Sequence, residues 1–355
     1  MDREDILDQI KENETVEGVD LSGVDFSGAD LSGGRFVDVC FDRADLSRAG
    51  ITRTGLTRCS FRGAVFANTD LTRLDLRKMD LSGASFAGAI LHETLLSGSD
   101  LSDSDFSGAR IFSSFMQKSN LSRSVFFAAQ LEKAILQDAK LSGADFTGAG
   151  LLKTVFLRAE LDKAGFRDAS LKKILFRGCD LSGQDFSNMC LEEVNFSNSG
   201  LRETDFRGAD IRTCSFAGAD MQGARLEAAR VEQSIFHQAN LQRSNLKKAV
   251  LTGCYLGEAN LEEAQLTEAV LETASLEWAR AARADFTNAD CRYLDLSHAD
   301  ISHAVCKGAN LYMACPHRAN DQGVNWKEAG PQKMRSPNQD LAEAEAWQPP
   351  SSVPD

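Results

Sequence analysis

The twenty residues LSGADFTGAGLLKTVFLRAE at positions 141–160 decide the architecture. Leu141, Phe146, Leu151 and Phe156 stand five apart, and Ala144, Ala149 and Thr154 each come two places before the next large residue. A period of five fits neither regular element. On an α-helix five residues turn ~500°, so the apolar positions drift about 140° per step and form no face. On a flat strand an odd spacing sends successive residues to opposite faces. Only a chain that turns inside every unit keeps them all inward. Such a chain is a solenoid, its core filled by one large and one small column.

Followed outward, the register runs from Val16 to Leu311, 60 apolar positions without an insertion or deletion. Leu and Phe dominate it, 18 of the 21 Phe lie on it, and Ala281, Cys291 and Cys306 are its weakest members. The second column, from Val19 to Ala314, holds Ala at 32 of 60 sites and Ser, Thr, Cys or Gly at 18 more. Asp or Asn often precedes the large residue, as in Ala29-Asp30-Leu31-Ser32-Gly33 and Ala219-Asp220-Met221-Gln222-Gly223. From Leu141 to Phe216 aliphatic residues and Phe alternate strictly, so a coil contains an even number of units. Between Leu256 and Leu276 the abundance of Ala and Glu favours helix by propensity alone, but the unbroken register keeps this stretch in the solenoid.

These units resemble the pentapeptide-repeat family, whose motif is Ala-(Asp/Asn)-Leu-Xaa-Xaa, over about 300 of the 355 residues. The resemblance implies an all-β fold, a right-handed quadrilateral parallel β-helix with four units to a coil. About fifteen coils, stacked at ~4.8 Å, give a rod roughly 70 Å long. Residues 16–315 form this β-helix, between an acidic amphipathic cap at 1–15 and a C-terminal cap and tail at 316–355. Ile6, Leu7 and Ile10 are the apolar side of the first cap. At the other end Pro316 stops the repeat, Val324 and Trp326 are placed to cover the last coil, and Asn338 to Trp347 reads as a short helix before a Pro-rich tail.

The hydrophobic fraction of 43% and charged fraction of 26% exclude a disordered chain, and no apolar run approaches the ~20 residues of a membrane span. The acidic start lacks the features of a signal peptide, so the cytoplasm is the expected compartment, with non-classical secretion as the alternative. Nine cysteines without a CxxC pair make no disulfide framework. Cys59, Cys179, Cys214 and Cys254 occupy the small column and read as reduced, buried fillers.

Chemistry is hard to find. No GxGxxG, P-loop or nucleophile elbow is present, and the abundant Ser and Asp sit in repeat slots, as in Asp180-Leu181-Ser182. His92 and His237 stand alone, His317 marks the repeat boundary, and His298 and His303 are one unit apart near Asp295 and Asp300. All five read as surface residues, since two His without convergence make no metal site. No catalytic, cofactor-binding or metal-binding residue is expected, and the protein is read as a non-enzyme.

The family's best-known activity is to bind DNA gyrase as a mimic of duplex DNA through a long acidic surface. The net charge of −13 invites that reading, but its distribution opposes it. Residues 1–35 contribute −7 and residues 256–275 contribute −5, while 36–255 sum to +2. A duplex mimic needs a continuous acidic track, with about one charge per 1.7 Å. No basic stripe interleaved with aromatics points to direct nucleic-acid binding either.

Outward positions say more. In the slot before the large residue Leu95, Phe115, Ile135, Val155 and Leu175 follow one another at twenty-residue intervals, which stacks them on one face over roughly 19 Å. Phe112 and Phe127, the remaining Phe outside the core register, fall in the same stretch of chain, and Ile90, Leu152 and Leu157 lie on the same or the adjoining face. Exposed apolar patches mark interaction sites. The expected function is therefore a rigid scaffold or adaptor that binds a protein partner, or a second copy, through Leu95, Phe112, Phe115, Phe127, Ile135, Leu152, Val155, Leu157 and Leu175. An accessory role in a bacterial secretion system such as type VI fits that architecture, with gyrase mimicry as the alternative and a metal- or small-molecule-binding enzyme third.

Overall fold

The structure, a computed structural model, describes residues 2–329, 334–335 and 339–346. Its backbone is held by one pattern repeated every five residues. The Leu21 amide donates to the Cys40 carbonyl (2.8 Å) and the Gly23 amide to the Asp42 carbonyl (2.9 Å). The Cys40 amide donates back to the Val19 carbonyl (3.0 Å), and the Val24 amide closes the turn on the Leu21 carbonyl (3.1 Å). Each corner residue is left-handed, as at Gly23 (φ 69°) and Arg53 (φ 58°). Corner and ladder together satisfy the backbone of a unit too short for ordinary strands.

The result is a parallel β-solenoid that advances twenty residues per coil. β1 (Thr15–Glu17), β2 (Arg35–Val37) and β3 (Gly55–Thr57) form one ladder. β4 (Ile90–His92), β5 (Arg110–Phe112), β6 (Gln130–Glu132), β7 (Gly150–Leu152), β8 (Ser170–Lys172) and β9 (Leu191–Glu192) form a second. Strand-length segments thus mark about nine turns, against the fifteen coils expected from the sequence. The difference arises because most rungs pair through one residue only, in a register that runs on to Asp300↔Asn320.

The alternation of aliphatic residues and Phe has a packing cause. Phe66, Phe86, Phe106, Phe126 and Phe146 stack in one column with centroids 4.7–5.2 Å apart. Phe156, Phe176, Phe196, Phe216 and Phe236 form a second column half a coil away, at 4.8–5.5 Å. The columns meet edge-on, for example Phe146 against Phe156 at 5.7 Å and 88°. Offset-stacked and edge-on rings are the favoured arrangements of aromatic quadrupoles. In the small column most buried hydroxyls and thiols donate to the carbonyl 23 residues earlier, while Ser104, Ser124 and Ser244 turn to the carbonyl three residues earlier. Thr69 Oγ1 reaches the Leu46 carbonyl (2.7 Å), Ser119 Oγ that of Leu96 (2.7 Å), and Cys179 Sγ that of Phe156 (2.8 Å).

Two seams interrupt the ladder. Among the described residues, the amides of Leu161, Lys163, Phe166, Asp168, Asp180, Asp185 and Cys190 make no bond across the coil boundary, and the rungs from Glu160 to Asp180, from Gly165 to Asp185 and from Ser170 to Cys190 are missing. At the corner between the first two of those rungs the small slot holds Gln184 above Ala164. Phe166 and Phe186 are tilted and 6.0 Å apart as a result. A similar break lies between 50–58 and 70–77, around Leu74 in the small slot above Thr54. Leu294 fills the same kind of slot with intact rungs on both sides, so size alone does not open a seam.

Both ends of the rod are covered. α1 (Arg3–Lys11) starts with a reciprocal capping box between Asp2 and Asp5 and buries Ile6, while Leu7 and Ile10 pack against the core. At the other end Val324, Met334 and Trp326, the last in a 3-10 turn (Trp326–Ala329), pack on the core. α2 (Gln339–Ala346) falls within the expected helix; Asn338, Trp347 and the Pro-rich tail lie outside the described residues. Among the described residues no helix is long and apolar enough to cross a membrane.

Candidate functional site

The outward slot before each large residue is where the wall displays chemistry. Where it holds Asp, the carboxylate accepts from the backbone two residues on, as Asp100 Oδ1 does from the Ser102 amide (3.0 Å) and the Ser102 hydroxyl (2.6 Å). Leu95, Phe115, Ile135, Val155 and Leu175 give up this bond. They are bridged in order by parallel pairs, and each is half-buried by its neighbours above and below. Asp75 closes the ladder at one end and Asn195 at the other.

Phe112 stands across the adjoining corner, against His92 (5.0 Å between rings) and under the Lys133 ammonium (5.0 Å). Leu152 in β7 and Leu157 beside Val155 are half-buried, and Ile90 in β4 is exposed. Phe127 is 53% exposed, but it follows Phe126 on the wall half a coil away and does not join the ladder.

Sequence reasoning missed what borders the ladder. Lys133, Lys153 and Lys173 occupy successive left-handed corners two residues before Ile135, Val155 and Leu175, and all three are exposed. Lys173 pairs with Glu193 (3.0 Å), Lys133 makes a long contact with Glu132 (3.8 Å), and Lys153 has no ion pair among the described residues. Lys118 adds an exposed cation on the other side of the ladder. The twenty-residue spacing of those lysines was the available signal.

Four of the five glutamates of the acidic belt at 256–275 are paired with cations of neighbouring coils. Arg243 reaches Glu263 at 2.8 Å, Arg283 pairs with Glu262 and Glu263, Arg292 reaches Glu272 at 2.9 Å, and Lys248 reaches Glu268 at 3.5 Å. Asp205, whose side chain is 5% exposed, is held by Arg207 (2.7 Å) and Arg225 (2.9 Å). The Arg207 guanidinium keeps its carboxyl below the usual range. These are ion pairs of a solenoid wall, and they bring no nucleophile to a base. The hollow of about 660 Å³ bounded by Arg167, Asp168, Gln184 and Asp185 is an open surface depression at the second seam.

Two histidines correct the expectation of a surface role. His317 is 1% exposed, and the His298 side chain is 11% exposed. His298 does not pair with His303. It lies between the Trp278 ring (3.9 Å, 3°) and Glu345 of α2, whose carboxylate also faces His317. A carboxylate 28 residues beyond His317, outside the repeat, gave sequence reasoning no spacing to read.

No curated protein matches the chain. Among solved structures, QnrB1, a plasmid-mediated fluoroquinolone resistance protein, is 23% identical over 52% of this chain and 85% of its own, with a TM-score of 0.33. HetL, a pentapeptide repeat protein involved in heterocyst differentiation regulation from Nostoc sp. strain PCC 7120, is 21% identical over 91% of this chain and 96% of its own, with a TM-score of 0.16. A pentapeptide repeat protein of the Arabidopsis thaliana thylakoid lumen is 32% identical over 33% of this chain and 70% of its own, with a TM-score of 0.19. Models of pentapeptide repeats match residues 16–48, 52–88, 80–116, 89–126, 104–143 and 282–314, and a model of the pentapeptide repeat region matches 129–206 and 191–266. With its five-residue register, its twenty-residue coil and these matches along most of its length, the chain belongs to the pentapeptide-repeat family.

Proposed function

We propose that the protein is a rigid, non-enzymatic scaffold that binds an acidic, apolar segment of a protein partner along the ladder from Leu95 to Leu175. The observation that carries this reading is five consecutive rungs without the Asp or Asn that the slot favours, beside three stacked lysines. A strip about 19 Å long and roughly 10 Å wide offers on the order of 200 Å², far below the ~800 Å² per side of a stable interface. The partner therefore extends over Phe112 and the lysine corner. A second copy is the poorer occupant where the two-fold axis runs across the rod, because that arrangement sets the lysines of one chain against those of the other.

The test compares wild type with two variants in affinity capture and size-exclusion chromatography. Phe115→Asp with Ile135→Asp leaves two charges where a partner excludes water, at a cost of several kcal/mol. Lys133→Glu with Lys153→Glu and Lys173→Glu reverses the charge of the rim. Both variants are expected to keep the circular-dichroism spectrum and lose the same partner, while Asp180→Asn with Ser182→Ala keeps it. If the double-Asp variant retains its oligomeric state and every partner, the ladder is surface packing only. If it unfolds, its side chains belong to the core.

A further inference from the structure

We propose that His298, His317 and Glu345 form a binding site for a divalent transition-metal ion, zinc by preference, which fastens α2 to the end of the solenoid. The ligand atoms of the three residues all lie within 4.8 Å of one another. Nε2 of His298 is 3.0 Å from Oε1 of Glu345, and Nε2 of His317 is 3.4 Å from Oε2. Four-coordinate zinc with bonds of ~2.0–2.1 Å holds its ligand atoms about 3.3 Å apart, so small rotations of these side chains would admit the ion. Two imidazoles and one carboxylate are the nitrogen and oxygen donors that zinc takes, with a water in the fourth position.

A second observation points to a ligand. His317 is buried, and among the described residues the one polar contact of its imidazole, from Nε2 to Oε2 of Glu345 at 3.4 Å, is longer than a good hydrogen bond, while Nδ1 on the other side of the ring has no partner. A buried polar group left in that state calls for an occupant. The site is also held in place. Trp278 stacks flat on His298 and fixes its ring, and the two imidazoles are perpendicular at 5.5 Å. Arg318 binds Oε2 of Glu345 (2.7 Å) and the Ala342 carbonyl (2.9 Å), which orients the carboxylate and leaves Oε1 toward His298. Its positive charge opposes a cation, so micromolar affinity is expected.

The test uses the full chain without a polyhistidine tag, dialysed against zinc chloride or cobalt(II) chloride. One zinc per chain is expected, with affinity at least tenfold weaker in Glu345→Gln, His298→Gln and His317→Gln, and unchanged in His303→Gln and His237→Gln. Bound cobalt is expected to show the intense visible bands of four-coordination and to quench indole fluorescence, with less quenching in Trp278→Phe. The solenoid spectrum in circular dichroism serves as the folding control for each variant. Zinc binding that is equal in wild type and Glu345→Gln, or cobalt bands that survive His298→Gln, overturns the site.

Discussion

Replacing Gln184 by Ala is expected to stabilise the protein, the opposite sign from most substitutions in a packed wall. Gln184 stands in a slot most often filled by Ala, and at the two rungs that flank it six amides lack their partners across the coil boundary. A net gain of ~0.5–1.5 kcal/mol for each restored bond puts the ceiling at roughly 3–9 kcal/mol. The amides now meet water at the seam and the loss of glutamine packing subtracts from the gain, so about 1–3 kcal/mol is the expected outcome. Hydrogen exchange reads the effect directly: protection is expected to rise at Leu161, Lys163, Phe166 and Asp168 and to stay constant at Leu101, whose amide already reaches the Asn120 carbonyl at 2.7 Å. Urea unfolding followed by circular dichroism gives the sign. A variant that is less stable than wild type, with those four amides still unprotected, refutes the reasoning and places the cause of the seam elsewhere.

Ile6→Asp is expected to undock α1 and expose the first coil's edge, giving concentration-dependent end-to-end oligomers in light scattering while the solenoid spectrum persists. A thiol reagent is expected to label Cys190 rapidly and Cys40 and Cys315 slowly. Cys179, Cys214 and Cys254, whose thiols burial pushes up to about 12, react only on unfolding. Arg77 beside Asp75, Arg207 beside Asp205 and Arg212 beside Asp210 hold those carboxyls below their unfolded values, so their contribution is complete above about pH 4 and lost as the pH falls further. Thermal melting is expected to be level from pH 7 to 5 and to drop below 4, less steeply in Asp205→Asn. No inhibition of gyrase supercoiling is expected at low micromolar concentration, because residues 36–255 sum to +2; salt-sensitive inhibition would contradict this.

The five-residue period made the fold legible because it is incompatible with every regular element but a turning chain, and each of its sixty positions repeats the same statement. The ladder was legible for a related reason: once the coil is twenty residues, Leu95 and Phe115 must be neighbours. What the sequence hid lies off the period. Leu74 stands at a seam while Leu294, the same residue in an equivalent slot, does not, and that contrast depends on particular neighbours. The cluster of His298, His317 and Glu345 joins the end of the repeat to a helix beyond it, and no spacing rule connects them. Phe127 shows the converse error, since nearness in the chain to Phe115 put it on a different wall.

The seams and the ladder are not placed independently. One break lies between 50–58 and 70–77, the other between 160–170 and 180–190. The coils between them are unbroken, and Leu95, Phe115, Ile135, Val155 and Leu175 all stand on that block. At the second seam the ladder's own wall stays closed, with the Phe176 amide on the Asn195 carbonyl at 2.8 Å and Phe156, Phe176 and Phe196 stacked behind it. A rod that opens at this seam does so on the other walls and hinges on this one. Bending would therefore reorient the C-terminal coils while the spacing of the ladder rungs is kept, because each rung is fixed by bonds inside the block. A partner seated there meets a surface that does not change with the bend of the rod. That gives the asymmetric placement of the missing bonds a physical consequence: rigidity is kept where the wall is apolar.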